Sequence, residues 1–313
     1  MQVLTNSEAL RPIHSNIVFA LGTFDGLHRG HLAVIREAVG RARACDGIAV
    51  VLTFNAHPLS ILAPEKVPPA LIDAEGKLRI LEAEGIGCTV RLPLSKSLLD
   101  ESAESFAERL LSHPGIRAVV TGSNFTFGHE GLGNPDMLRR MAEGRGIDIV
   151  SLPLETDAAT GRTISSTAVR RAIVEGHMSE AAAMLGRPYG FTGTVIEGDK
   201  RGRTLGYPTL NFMIPDGLAT PADGVYANRV YIDGVRYDGV GNVGDNPTFD
   251  NQYHRAEVHV FDFDRDVYGK RVYVEFYERL RGETRFDSLD ALVAQMQEDE
   301  MQAKRVLSEK TNV

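Results

Sequence analysis

This chain of 313 residues is short of several things, and each absence narrows what it does. No apolar run approaches the roughly 20 residues that span a bilayer. Met1 to Asn16 carries neither the basic region nor the apolar core of a secretory leader. Cysteine is scarce: Cys45 and Cys88 stand in no metal-ligand spacing and read as reduced thiols of a cytoplasmic protein. Basic residues are in deficit, and a net charge of −8 argues against nucleic acid as the main partner. A nucleotide is not excluded, because one small polyanion needs only a local cluster of donors. There is no internal repeat and no low-complexity tract. The expected partners are small molecules, with no nucleic acid and no membrane; a homo-oligomer is allowed.

What is present is ordinary globular composition, 43% hydrophobic and 24% charged, at a length that suggests two domains. The fold class expected is α/β plus β. In the first half, strand-like runs at 17–21, 48–53, 118–121 and 147–152 alternate with helix-like stretches at 32–44, 74–84, 103–111 and 135–143. Such alternation implies a parallel sheet with helices on both faces. Two more helical stretches follow, at 167–175 and 179–185. From Gly190 the texture changes to short β-type runs split by glycine and proline, with Asp233-Gly234 fitting a tight hairpin. These runs suggest a small antiparallel barrel. Leu289, Leu292, Val293 and Met296 share one face of a last helix expected to close it. The domains expected are 1–186 and 187–313, with the boundary near Gly186-Arg187-Pro188.

Ligands of parallel α/β sheets bind at the carboxyl ends of strands. Gly22-Thr23-Phe24-Asp25-Gly26-Leu27-His28-Arg29-Gly30-His31 lies at such an end, where a strand hands over to a helix. A helix N-terminus carries unpaired N–H groups and favours anions, and imidazoles there can donate to phosphate oxygens. Gly22, Gly26 and Gly30 let the backbone turn tightly against a ligand. His28 and His31 taken alone read equally well as helix caps. A second helix start, Thr163-Ile164-Ser165-Ser166-Thr167-Ala168-Val169-Arg170, offers hydroxyls and an arginine that suit a triphosphate tail, or simply an N-cap.

In the second half, Gly198, Gly202 and Gly206 alternate with Lys200, Arg201 and Arg203. A flexible basic loop of this kind can wrap phosphates, or can be a solvated hairpin. It is not a Walker A loop. Pro208-Thr209-Leu210-Asn211 then adds oxygen donors suited to Mg²⁺. Period two places Glu257, His259 and Phe261 on one strand face, where a carboxylate is by default merely exposed.

The His-x-Gly-His turn with the later Ile-Ser-Ser-Thr-x-x-Arg helix start resembles the nucleotidyltransferase superfamily. The wording Gly-Thr-Phe-Asp-Gly-Leu-His-Arg-Gly-His is closer still to the FMN adenylyltransferase half of bacterial bifunctional FAD synthetases. Gly122-Ser123-Asn124-Phe125-Thr126-Phe127-Gly128, with Gly133-Asn134, matches that family's flavin-side loop. Ala56 stands where the family usually has proline. The resemblance implies a Rossmann-like nucleotidyltransferase domain that moves AMP from ATP to the phosphate of FMN. His28 and His31 would hold the α- and β-phosphates, and Ser165, Ser166, Thr167 and Arg170 the departing pyrophosphate. Gly22, Phe24, Asp25 and Gly30 join the nucleotide site, and Asn124 and Phe125 the flavin side. Asn124 would also position the FMN phosphate.

The block from Gly193 to Asn211 resembles the riboflavin kinase signature, in which Pro-Thr-x-Asn closes a glycine-rich loop. Leu210 departs from the usual alanine, and Asn246 from a frequent arginine. This implies a riboflavin kinase-like barrel making FMN from riboflavin and ATP. Glu257 would be the base for the ribityl hydroxyl, Thr209 and Asn211 would hold Mg²⁺, and Arg281 would contact nucleotide or flavin. ATP would be substrate of both reactions and FAD the end product. Another small-molecule adenylyltransferase, for a nicotinamide or pantetheine phosphate, would not be expected to carry the Pro-Thr-x-Asn barrel. A flavin-responsive binding module with one or both sites inert would be expected to lack site residues that are all present here.

Overall fold

The computed structural model describes residues 1–6, 16–198, 202, 206–245 and 254–310. By contact the chain divides into two compact units, 1–68 with 74–165 and 69–73 with 166–313.

The first unit is a six-stranded sheet in the order β1-β4-β3-β2-β5-β6, every pair parallel. Its strands are β1 (Gln2–Leu4), β2 (Ile17–Leu21), β3 (Ile48–Phe54), β4 (Cys88–Leu92), β5 (Ile116–Gly122) and β6 (Asp148–Leu152). All five residues of β2 are buried, as expected of a strand covered on both faces. Helix α1 (Arg29–Ala44) packs on β2, β3 and β5. Ile17, Phe19 and Leu21 share a core with Ala107 and Leu110 of one helix and Leu138 and Ala142 of another. The helices are α2 (Leu59–Leu62), α3 (Ala74–Ala83), α4 (Lys96–Leu99), α5 (Ala103–Leu111) and α6 (Pro135–Ala142). Ser102 and Asn134 cap α5 and α6 through their side chains. From β2 the chain moves out one way through β3 and β4, and β5 returns to the other side of β2. The crevice between the carboxyl ends of β2 and β5 is therefore the switch point where such sheets bind ligands.

The second unit opens with α7 (Ser166–Val174) and α8 (Met178–Leu185), the latter ended by Gly186 in the left-handed conformation. A closed barrel follows in the order β10-β11-β8-β7-β12-β9, all antiparallel. Its strands are β7 (Tyr189–Ile196), β8 (Leu210–Met213), β9 (Gly224–Ile232), β10 (Val235–Asp245), β11 (His254–Val260) and β12 (Arg271–Arg281). Asp233 and Gly234 both take positive φ, which completes the β9–β10 hairpin as a turn matched to strand twist.

Helix α9 (Leu289–Glu309) packs on β9, β10 and β12 by the face expected, but chiefly through its later turns. Leu289 is 61% exposed, and the buried stripe is Asp299, Ala303, Val306 and Leu307. Ala303, Val306 and Leu307 join Val225, Ala227, Val240 and Phe261. The apolar spacing near the helix start marks a stripe, but the barrel surface it must match lies under the later turns. Strands β1, β4 and β8 carry no clear signal in the sequence. β1 is three residues long, and β4 alternates apolar with polar residues over only five positions and is no continuous apolar run. β8 coincides with the residues read as a metal-binding tail.

Candidate active sites

The turn between β2 and α1 is built on strained backbone. Phe24 and Leu27, both almost fully buried, take positive φ along with Gly26. His28 follows as the N-cap of α1, and its Nδ1 accepts the His31 N–H at 3.4 Å. The capping role is therefore real. It also leaves Nδ1 unprotonated, so the proton of the neutral ring sits on Nε2 as a donor. The two imidazoles stack at 3.7 Å between centroids, and Phe24 lies edge-on to His31 at 5.4 Å. His31 Nδ1 is buried with no hydrogen-bond partner among the described residues. Burial holds the His31 pKa well below the ordinary histidine range, with the charges of His28 and Lys77 acting in the same direction. His31 is thus a neutral ring at neutral pH. Gly22 packs close to the Phe24 ring, and Gly30 close to the His28 ring. Asp25 is half-buried in the same turn.

Asn124 lies just beyond β5, exposed and without a hydrogen-bond partner among the described residues. Its neighbour Phe125 is half-buried and stacks on Phe127 at 5.8 Å. Phe127 and Gly133 pair as a bridge and close this loop. Because β2 and β5 are parallel neighbours, the histidine turn and the Asn124 loop leave the same edge of the sheet. Ser165 ends the first unit, and Ser166, Thr167 and Arg170 belong to α7 of the second. Arg170 Nε donates to the Pro69 carbonyl at 2.6 Å.

In the barrel, Asn211 of β8 stands directly opposite Glu257 of β11, which stands opposite Asn242 of β10. Ala256, Val258 and Val260 point into the core, so Glu257 and His259 occupy the other face. Asn211 is 4% exposed, and its Oδ1 has no hydrogen-bond partner among the described residues. Its Nδ2 reaches Thr209 Oγ1 at 3.4 Å. A side chain at Gly198 would enter the Asn211 amide, with Cβ 2.4 Å from Nδ2. Gly202 accepts from the Tyr207 N–H at 2.8 Å, and Gly206 turns with positive φ. His259 Nδ1 lies 2.8 Å from the Pro208 carbonyl, bracing the chain just before Thr209. Lys200, Arg203 and Asn246 lie outside the described residues.

The Arg281 guanidinium is engaged by α9: Nε lies 2.9 Å and Nη2 2.8 Å from the Asp299 carboxylate. Nη1 donates to the Gly282 carbonyl at 3.1 Å. Among the described residues no group of three or more His, Cys, Asp or Glu is arranged to hold a metal ion. The orphaned Asn211 Oδ1 and neighbouring Thr209 Oγ1 form a neutral hard-oxygen pair, which fits Mg²⁺, an ion that keeps waters and shares substrate phosphates.

Residues 10–168 match the family model for FAD synthetase, and residues 185–307 that for riboflavin kinase. A Listeria monocytogenes protein named bifunctional riboflavin kinase/FMN adenylyltransferase is 35% identical over 291 residues, covering 92% of each chain. The chain belongs to the bifunctional riboflavin kinase/FMN adenylyltransferase family. Family members of the same name from Bacillus subtilis and Escherichia coli are each 34% identical, over 93% and 92% of this chain and 92% and 91% of theirs. A solved structure titled macrolide-efflux protein, from Streptococcus pneumoniae, superposes with a TM-score of 0.85 at 34% identity, covering 96% of this chain and 98% of that one. Among the described residues no helix is long and apolar enough to cross a membrane.

Two side chains near the sites of this family member went unremarked in the sequence or without a role. Lys77 of α3 reaches the histidine turn, and only its helical position could have hinted at this. His259 was placed on the Glu257 face, but its grip on Pro208 depends on the β8–β11 pairing.

Proposed function

We propose that this chain phosphorylates riboflavin to FMN on the barrel and adenylylates FMN to FAD on the parallel-sheet unit, in the cytoplasm, with ATP as substrate of both steps. The functional division falls at 1–186 and 187–313. Its substrates and products are small molecules, and neither nucleic acid nor membrane takes part. The observation that carries the reading is that one chain holds two separate side-chain arrangements suited to phosphate chemistry. His28 and His31 stack at a helix N-terminus, and Asn211, opposite Glu257, has an Oδ1 with no partner among the described residues.

In the adenylyl transfer no protein nucleophile is required, because the FMN phosphate is the attacking group. Catalysis is then orientation and charge stabilisation at the α-phosphate. His28 Nε2–H and the α1 amides hold the α- and β-phosphates, while His31, braced by Phe24, presents a neutral ring beside them. Gly22, Asp25 and Gly30 shape the turn. Ser165, Ser166, Thr167 and Arg170 hold the departing pyrophosphate. Asn124 positions the FMN phosphate and Phe125 supports the flavin.

In the kinase step Glu257 takes the proton from the ribityl hydroxyl as it attacks the γ-phosphate. Thr209 and Asn211 would hold Mg²⁺, which when bound neutralises charge on the ATP phosphates. Gly198, Lys200, Gly202, Arg203 and Gly206 wrap those phosphates. Arg281, held by Asp299, lends its remaining surface to nucleotide or flavin.

The test is to incubate pure protein with riboflavin, Mg²⁺ and ATP and to separate the flavins. FMN followed by FAD is expected. FMN alone would remove the adenylyl-transfer assignment, and no turnover would leave a flavin-binding module.

A further inference from the structure

Lys77 lies on α3, outside every motif described above, yet its Nζ donates to the Thr23 carbonyl at 3.0 Å. Thr53 Oγ1 donates to the same carbonyl at 3.2 Å, so that oxygen ties α3 and β3 to the histidine turn. An ammonium has three donors. Among the described residues the protein engages one of them, and no carboxylate lies within ion-pair distance of Nζ.

We propose that Lys77 is a phosphate-binding residue of the adenylyl-transfer site, its ammonium completing the cradle formed by His28, His31 and the start of α1. The inference rests on the adenylyl-transfer reading of that turn.

The electrostatics argue for an anion at this place. Burial lowers the Lys77 pKa; Asp25 opposes that shift and Arg91 adds to it. The Lys77 charge in turn disfavours protonation of His31. A half-buried cation with no ion-pair partner among the described residues, beside two imidazoles and a helix N-terminus, favours an anion there. A triphosphate pairs with all of these groups together. Lysine suits the task because it binds phosphate as a point charge and needs no planar fork. Neutral His31 brings no charge of its own, so Lys77 supplies what it lacks.

The alternative role for Lys77 is a staple that merely holds the Thr23 carbonyl. Three variants of the full chain separate the two. Lys77→Gln keeps a donor without charge, Lys77→Met removes both, and Lys77→Arg keeps the charge. FAD formation from supplied FMN and ATP is expected to fall about ten- to a hundredfold in both Lys77→Gln and Lys77→Met, the size of one lost charged hydrogen bond. Lys77→Arg should retain most of it. Riboflavin phosphorylation by the same samples should stay at the wild-type rate, and their thermal melts should coincide, which excludes misfolding as the cause. Affinity for inorganic pyrophosphate, measured by calorimetry, should drop in parallel with activity. Wild-type FAD formation and pyrophosphate affinity in Lys77→Gln would overturn the proposal and leave the staple. His31→Ala is run beside them. If His31→Ala loses FAD formation and Lys77→Gln does not, only the lysine's role fails. If neither loses it, the adenylyl-transfer reading of the turn fails as well.

Discussion

Asn211 and Glu257 are direct cross-strand partners in the β8–β11 ladder. Side chains so placed stand about 5 Å apart at Cβ. The ladder thus sets a carboxylate beside a buried amide oxygen that no described residue engages. The expected metal ligand and the expected base are neighbours although 46 positions separate them in the chain.

Glu257→Gln should lower riboflavin phosphorylation by roughly 10²- to 10⁴-fold, the usual worth of a general base. Conversion of supplied FMN to FAD should continue in the same sample. A variant that loses both steps would contradict the assignment of Glu257 to the kinase site alone.

Gly198→Ala tests the Asn211 position without touching its chemistry. The new methyl would sit 2.4 Å from Asn211 Nδ2 and 2.6 Å from Oδ1, so the amide must move. The Mg²⁺ concentration for half-maximal riboflavin phosphorylation should rise, measured by titration. An unchanged Mg²⁺ curve would remove Asn211 from the metal's ligands.

His31 makes stability depend on pH in a definite direction. Its pKa is lowered on folding, so the unfolded chain binds the proton more readily. The stability this residue contributes is present above the ordinary histidine value of about 6.5. It is lost as the pH falls from there toward the lower folded-state value. Melting at pH 7.5 and 5.5 should show a larger loss on acidification for wild type than for His31→Gln. Equal losses would mean the ring is not held neutral by its surroundings.

The Arg281–Asp299 pair fastens β12 to α9. Asp299 is 4% exposed and accepts from Gln295 as well. Asp299→Ala strands the guanidinium in a partly buried place and should cost about 3 kcal/mol in urea unfolding. A change below about 0.5 kcal/mol would mark the pair as an ordinary surface contact.

Much of the fold was legible because its signals are local. The apolar run at 17–21 is a buried strand, the Asp233-Gly234 turn is a hairpin, and the helices from 29 to 44 and 103 to 111 keep a 3.6-residue period. Strand β8 is hidden because its four residues, Leu210–Met213, carry too little pattern. The α9 face is legible in its apolar spacing, but not that burial is deepest in its later turns while Leu289 at the start stays exposed. At the first site, His28 and His31 announced themselves by their three-residue spacing at a helix start. Lys77, 46 residues after His31, carries no such mark.

The sequence by itself determined the local chemistry: a histidine turn at a helix start, a glycine-rich loop closed by Thr209 and Asn211, and a strand carrying Glu257. It also determined the family, because those motifs are specific and stand in order. Only the tertiary structure decided which distant groups meet. Parallel pairing of β2 with β5 set the Asn124 loop on the edge where the histidine turn emerges. Antiparallel register put Asn211 opposite Glu257, and α3 brought Lys77 to Thr23. Turns and caps act within a few residues and leave a pattern in the chain. Register and helix docking are settled by packing and hydrogen bonding between segments far apart, and no short stretch of sequence records them.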